Sequence, residues 1–321
     1  MSFLHITNGS SAKNIMQQAG ISGEIVTWDD VLHEGPVPAG LALPELSKIR
    51  AQFIADQGWA PLSEVLRNFE SRDSALCSFR NYDALVLWFE HDLYDQLQLI
   101  QILNWLATED LENVDIRLIC EACYLGCITP NEMSALQEKA VPIKYEQITI
   151  ATAAWQALTL PVPNEWFNLL DQDTDCLPFL KGAVLRLLEE YPHLDTGLSL
   201  TQLYTLKSIE KQSKSPNEVF SSYQNCEERR FMGDSTFWGY LAQMVYSEPA
   251  LIEVADGQRL TLTHSSSQQL QITQAGKEVL AGERVWSDLV NIDRWIGGVH
   301  LRADNLWCWD SQSQTIIKKL K

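Results

Sequence analysis

Ala84-Leu85-Val86-Leu87-Trp88-Phe89-Glu90-His91-Asp92-Leu93-Tyr94-Asp95-Gln96 decides how this chain folds. An unbroken apolar run of strand length ends in three consecutive ionisable residues, and Leu97-Gln98-Leu99-Ile100-Gln101-Ile102-Leu103 continues with helical spacing. This pattern predicts a buried strand that feeds a helix. In open α/β sheets ligands sit beyond the carboxyl ends of such strands, so Glu90, His91 and Asp92 fall where chemistry is placed.

Outward from this stretch, the flanking segments repeat the alternation of strand and helix. Phe3-Leu4-His5-Ile6-Thr7 reads as a strand, Asn8-Gly9 as its turn, and Ser10-Ser11 as the start of a helix reaching Gln18. Glu24-Ile25-Val26-Thr27-Trp28 is a second strand, which makes a βαβ unit and predicts a parallel sheet. The prolines and glycine of Asp29 to Pro38 force a loop, and helical periodicity returns over 44–56 and 62–70. A further strand is expected at 114–120, and Thr129-Pro130 opens a short helix. The acidic turn Asp171-Gln172-Asp173-Thr174-Asp175 marks the expected domain boundary. Residues 1–175 then form a Rossmann-like α/β domain, and 176–321 a mainly α second domain.

In that second domain, helices are expected over 179–191, 200–209 and 235–245, then short strands at 250–254 and 270–273, then a helix over 275–281. Helices followed by a ribbon that feeds a helix is the order of a winged helix.

Composition limits the function classes. With 321 residues, 45% hydrophobic and 21% charged, the chain is that of an ordinary globular protein large enough for two cores. No apolar run reaches the roughly 18 residues of a membrane span, and the amino end lacks a secretory layout, so a cytoplasmic protein with no membrane partner is expected. Seven scattered cysteines resemble no disulfide framework, and reduced thiols are expected. The net charge of −18 is uneven: residues 1–175 carry 25 acidic and 9 basic residues (9 − 25 = −16), leaving 17 and 15 (15 − 17 = −2) for the remainder. Binding to phosphate backbones needs Lys and Arg, so the first half is a poor nucleic-acid binder.

Three clusters resemble a bacterial family known as domain of unknown function 1835. They are His5-Ile6-Thr7-Asn8-Gly9, Leu32-His33-Glu34-Gly35-Pro36-Val37-Pro38, and Leu87-Trp88-Phe89-Glu90-His91-Asp92-Leu93-Tyr94-Asp95-Gln96-Leu97. The resemblance extends through Phe231-Met232-Gly233-Asp234-Ser235 and Arg294-Trp295-Ile296-Gly297-Gly298-Val299-His300-Leu301. Ser10 stands where the family pattern has Asp, and Cys308 where it has Arg. The resemblance implies no activity.

Chemistry is therefore read from the residues. Glu90, His91 and Asp92, with Asp95 close by, suit general acid/base work or oxygen ligation of a divalent metal such as Mg²⁺, Asp92 being the candidate ligand. Their structural alternative is capping: Asp92 as N-cap and Asp95 as a first-turn acid. Adjacent strand residues face opposite ways, so Glu90 and His91 are not expected to serve one ligand unless the chain has turned. Asn8, Gly9, Ser10 and Ser11 offer amides, hydroxyls and a helix end to an anion. A phosphate there would be repelled by Glu34, Glu90, Asp92 and Asp95 unless Mg²⁺ bridges, or Lys13 and Arg80 turn inward. His5 is either a ligand contact or a core histidine, and His33-Glu34 lies in a constrained loop of the kind that carries function. Arg294 and His300 either fold back to supply positive groups to the crevice or belong to an aromatic segment closing the second domain. Cys120, Cys123 and Cys127 lack the further ligands of a zinc site.

Two readings follow. In the first, the α/β domain binds and processes a small phosphate-bearing or nucleotide-like molecule, with Glu90, His91, His33 and Glu34 as catalytic candidates. In the second, it senses a ligand and the second domain contacts protein or, less favourably, DNA, because 235–245 contains no Lys or Arg.

Overall fold

The computed structural model describes residues 2–263 and 266–319. They form two compact units: Met1–Val184 with Gly297–Val299, and Leu185–Ile296 with His300–Lys321. The division falls inside a helix rather than at the acidic turn near 175, because the helical pattern after Pro178 runs through it without a break.

Unit 1 begins β1 (Phe3–Thr7), α1 (Ser10–Gln18), β2 (Glu24–Thr27), α2 (Leu43–Asp56), α3 (Leu62–Cys77) and β3 (Ala84–Glu90). It continues with α4 (Leu93–Leu106), β4 (Asp115–Glu121), α5 (Pro130–Gln137), β5 (Val141–Pro142), α6 (Tyr145–Thr159) and α7 (Asn164–Asn168). The helix α8 (Leu180–Leu188) carries the division between the units.

The five strands lie in the order β2-β1-β3-β4-β5, the first four parallel and β5 antiparallel to β4. This is a mixed α/β fold on a mostly parallel sheet, as the alternating pattern predicts. All seven residues of β3 are buried, which is why its sequence is continuously apolar instead of alternating. Val86 and Trp88 pack with Ala12 and Met16 of α1 and Met133 and Leu136 of α5. By strand alternation Leu85, Leu87 and Phe89 serve the other face. There α4, buried along most of its length, packs on α6.

The strand order places the site. From β1 the chain moves to β2 on one side and later to β3 on the other, the switch in strand order beyond which α/β sheets place a ligand crevice. Thr7 is the last residue of β1 and Glu90 the last of β3. The Gly297–Val299 segment belongs to this unit because its backbone approaches α6 too closely for a side chain: Gly298 N–H donates to the Leu158 carbonyl at 2.8 Å, and a Cβ on Gly298 would overlap the Thr159 carbonyl.

Unit 2 holds α9 (Leu200–Ser208), α10 (Pro216–Cys226), α11 (Asp234–Tyr246), β6 (Ile252–Val254), β7 (Leu270–Ile272) and α12 (Gln274–Leu280). The strands β8 (Arg294–Ile296), β9 (Val299–Leu301), β10 (Leu306–Asp310) and β11 (Thr315–Lys319) complete the chain. The expected ribbon forms as the antiparallel pair β6–β7. It is one of three two-stranded sheets among the described residues, so the order of elements does not by itself make the unit a winged helix.

At the centre of unit 2 is Glu190, buried at 1% exposure. Its carboxylate accepts from Arg186 at 2.8 Å, Thr201 Oγ1 at 2.5 Å, Tyr240 at 2.8 Å and Arg294 at 3.2 Å. Burial alone would raise its pKa, but Arg186 and Arg294, with the two hydroxyls, hold it down at about 2. Such a group stabilises the fold above its ordinary value of 4.5, and the contribution is lost as pH falls towards 2. The Thr201 amide, which donates to Glu190 at 3.3 Å, is expected to titrate with a midpoint near pH 2 in NMR spectra. A midpoint at or above 4.5 would contradict this assignment.

No described helix is long and apolar enough to cross a membrane.

Candidate functional site

Glu90 ends β3, and the chain turns at once into α4. Asp92 is the N-cap, its Oδ1 accepting the Asp95 N–H at 3.1 Å, so the capping role expected of it is realised. Asp95 turns back towards the strand end: its Oδ1 accepts the Glu90 N–H at 2.7 Å. One turn of helix thus places three carboxylates together, with an oxygen of each of Glu90, Asp92 and Asp95 within 4.8 Å of the others, all three residues being buried.

Asn8 reaches this cluster from the end of β1. Its Nδ2 donates to Glu90 Oε1 at 2.8 Å and to Asp95 Oδ2 at 2.9 Å. Residues 82 and 87 positions apart are thereby joined across the switch between β1 and β3. The Leu125 N–H, in the turn after β4, donates to the same Glu90 Oε1 at 2.7 Å. Gly126 beside it lies so close to α1 that a Cβ there would meet the Ser11 side chain at 2.7 Å. Ser10 and Ser11 are exposed at the α1 amino end, Gly9 is its N-cap, and no side chain caps the helix.

The electrostatics are unusual for a buried cluster. Neither Glu90 nor Asp95 forms an ion pair with a Lys or Arg among the described residues. Burial raises the Glu90 pKa, opposed by the Asn8 and Leu125 donors. Burial raises Asp95 well above the carboxylate range, and the charges of Asp92 and Glu90 add to it. Glu90 Oε2 accepts no hydrogen bond among the described residues, so one oxygen of an otherwise fixed carboxyl group is left to react or ligate.

These raised values have a checkable consequence. The folded state retains protons that the unfolded chain releases, so without a cation stability is lost as pH rises above 4.5 through the raised Glu90 value. A cation binds the ionised form and removes that loss. The difference between Tm measured with and without Mn²⁺ is expected to widen as pH rises above 4.5, and a constant difference would count against a cation at these residues.

The loop carrying His33 forms a further part of the surroundings. Arg50 of α2 is fully buried and spends its whole guanidinium on this loop: Nε on Asp30 Oδ1 at 3.0 Å, Nη1 on the Glu34 and Pro36 carbonyls at 2.6 and 3.3 Å, and Nη2 on the Val31 carbonyl at 2.7 Å. Gly35, at φ 76°, rests on the Phe53 ring, where a Cβ would come within 2.5 Å. The loop so held sets the His33 ring edge-on to Tyr94 at 6.2 Å. Tyr94 in turn bonds the Asn8 carbonyl at 3.4 Å, so all three amino-terminal clusters come together. Glu34 is buried, and its backbone carbonyl accepts from Arg50.

Other expectations are corrected. His5 is fully buried in the core, with Nδ1 accepting from Trp88 Nε1 at 3.0 Å and Nε2 3.2 Å from the Ser22 carbonyl, so neither nitrogen is left for a ligand. His91 follows the end of β3, its ring packed against Tyr124 at 5.0 Å and Phe179 at 5.9 Å. Arg80 lies on the surface with Glu109 and the Asp110 carbonyl rather than turning inward. Within unit 2, Arg294 bonds Glu190 and Tyr240, and His300 pairs with Asp293 and stacks on Trp295 at 4.2 Å. The thiols of Cys120, Cys123 and Cys127 are free, burial pushes Cys120 up to about 12, and none joins a metal-binding group among the described residues.

Reading the sequence missed Arg50, Tyr94 and Asp29. Asp29 follows β2, is solvent-exposed, and still has its pKa raised by desolvation, the combination found on the wall of a recess. Its Oδ1 lies 3.3 Å from where a Gly9 Cβ would stand.

No protein-family model matches the chain and no curated protein matches it, so the chemistry of this crevice rests on its own residues.

Proposed function

We propose that unit 1 binds and processes a small phosphate-bearing or nucleotide-like molecule beyond the carboxyl ends of β1 and β3. The observation that carries this reading is the meeting of Glu90, Asp92 and Asp95, joined by Asn8 and lacking a cationic partner for Glu90 and Asp95, beside the uncapped amino end of α1. Three carboxyl groups so buried are stable as anions only with added positive charge, and hard oxygen ligands suit Mg²⁺ or Mn²⁺. Such an ion, held by Glu90, Asp92 and Asp95, would also remove the repulsion that a phosphate meets in an acidic hollow. The α1 amides of Ser10 and Ser11 then receive the anion. Where no ion is bound, Glu90, one oxygen fixed by Asn8 and Leu125 and its pKa raised by burial, is the candidate general acid or base; with the ion bound it would serve as an ionised ligand.

Calorimetric titration of the whole protein with Mn²⁺, then with Mn²⁺ and a panel of nucleotides, tests the reading. Tight Mn²⁺ binding that enables nucleotide or phosphate binding is expected; phosphate binding that ignores the metal would sink it.

A second reading, a ligand-sensing regulator whose second unit has a winged-helix-like element, draws on the β6–β7 ribbon that follows α11. Because α11 carries no Lys or Arg, that version favours a protein partner over DNA. A salt-sensitive electrophoretic shift with duplex DNA would reverse the preference.

A further inference from the structure

The crevice is rich in acceptors and poor in donors. Asn8 gives both amide hydrogens to Glu90 and Asp95, the Leu125 N–H goes to Glu90, the Glu90 N–H to Asp95, and the Asp95 N–H to Asp92. When ionised, the side chains of Asp29, Glu90, Asp92 and Asp95 offer only acceptors. Beyond the α1 amides, the Tyr94 hydroxyl is a neutral donor at this rim, while the Thr27 hydroxyl and the Lys13 charge act on Asp29. Tyr94 sits in the first turn of α4, half-buried, and its bond to the Asn8 carbonyl is long at 3.4 Å. The ring is braced edge-on by His33, so the hydroxyl has a fixed place.

We propose that Tyr94 is the side chain through which the crevice recognises an oxyanion, releasing the Asn8 carbonyl and donating its O–H to a phosphate oxygen of the bound molecule. This rests on the cation-and-phosphate reading of the same site and names a specificity-determining residue within it. A neutral donor is what an acidic hollow requires: a Lys or Arg would be drawn to the carboxylates, whereas a phenol donates without competing for the cation.

The test is calorimetry on the full-length protein with two probes, Mn²⁺ alone and inorganic phosphate at saturating Mn²⁺. In Tyr94→Phe, Mn²⁺ affinity is expected to stay within about twofold of wild type while phosphate affinity falls roughly 10-fold or more, as loss of one hydrogen bond to a charged group requires. A second variant with 3-fluorotyrosine at position 94 keeps the ring and sharpens the donor, and should bind phosphate more tightly than wild type. That response would not follow from a packing role, and it serves if Tyr94→Phe folds poorly. Unchanged phosphate affinity in Tyr94→Phe, with Mn²⁺ binding intact, overturns the Tyr94 assignment and leaves the cation site standing. Mn²⁺ binding without any phosphate binding in the wild type also overturns it. Failure of the wild type to bind Mn²⁺ removes the underlying reading and this proposal with it.

Discussion

Arg50→Ala is expected to destabilise the protein by about 3–5 kcal/mol, the usual cost of removing one partner from a buried charge pair. Both Arg50 and Asp30 are fully buried, and the pair is 3.0 Å apart. Removing the guanidinium leaves the Asp30 carboxylate with Arg72 alone, at 3.5 Å, and orphans the carbonyls of Val31, Glu34 and Pro36. The penalty is therefore desolvation without compensation, at several atoms together. Arg50→Lys keeps the charge but not the fork, and should fall between wild type and alanine. Adding Asp30→Asn to Arg50→Ala should recover part of the loss, since the stranded charge is gone. Urea denaturation checks the series; a loss under about 1 kcal/mol for Arg50→Ala would show that the clamp behaves like an exposed ion pair.

Glu90→Gln should separate binding from folding. Glutamine keeps the shape and an oxygen that can accept from Asn8 and Leu125, so the crevice wall is expected to remain. It also removes a buried charge whose ionisation burial disfavours. The cation-free variant is accordingly expected to melt at or above the wild-type Tm at neutral pH. Mn²⁺ affinity should fall by about 100-fold or more, since ligand charge sets the strength of a hard-cation site. Asn8→Ala should do the reverse to the cation-free protein, lowering Tm by withdrawing the amide shared by Glu90 and Asp95. A Glu90→Gln protein that melts lower and binds Mn²⁺ as the wild type does would reverse both halves of the argument.

How much of this could be read before any coordinates depends on whether the physics was local. The β3–α4 junction was legible because an apolar run followed by ionisable residues and helical spacing is a pattern contained in a few residues. The α5 start was legible through Thr129-Pro130 and its capping box with Glu132. The same signal, Ser215-Pro216 with Glu218, marks α10, which went unread although every residue of the motif is present. Asn8, His33 and Glu90 were singled out as separate clusters, and the parallel sheet explains why distant segments can share one rim.

What could not be read was long-range. Arg50 occupies a helix where a lone Arg reads as solvated; its partners are loop carbonyls fourteen to nineteen positions away, which no local pattern encodes. His5 and Glu90 show the opposite failure. Both are ionisable residues on buried strands, yet one meets Trp88 across the sheet and is consumed by the core, while the other ends its strand and meets Asn8. Of the two roles posed for Asp92, capping is seen directly: the residue caps α4 through one oxygen and lies among the three carboxyl groups.

We propose that Glu90, Asp92 and Asp95 hold a divalent cation at the rim between β1 and β3. Anomalous diffraction from crystals soaked in Mn²⁺ at neutral pH addresses it directly. A strong peak among the three carboxylates is expected, absent in Glu90→Gln. A clear map with no peak there, or an equal peak in the variant, would contradict it.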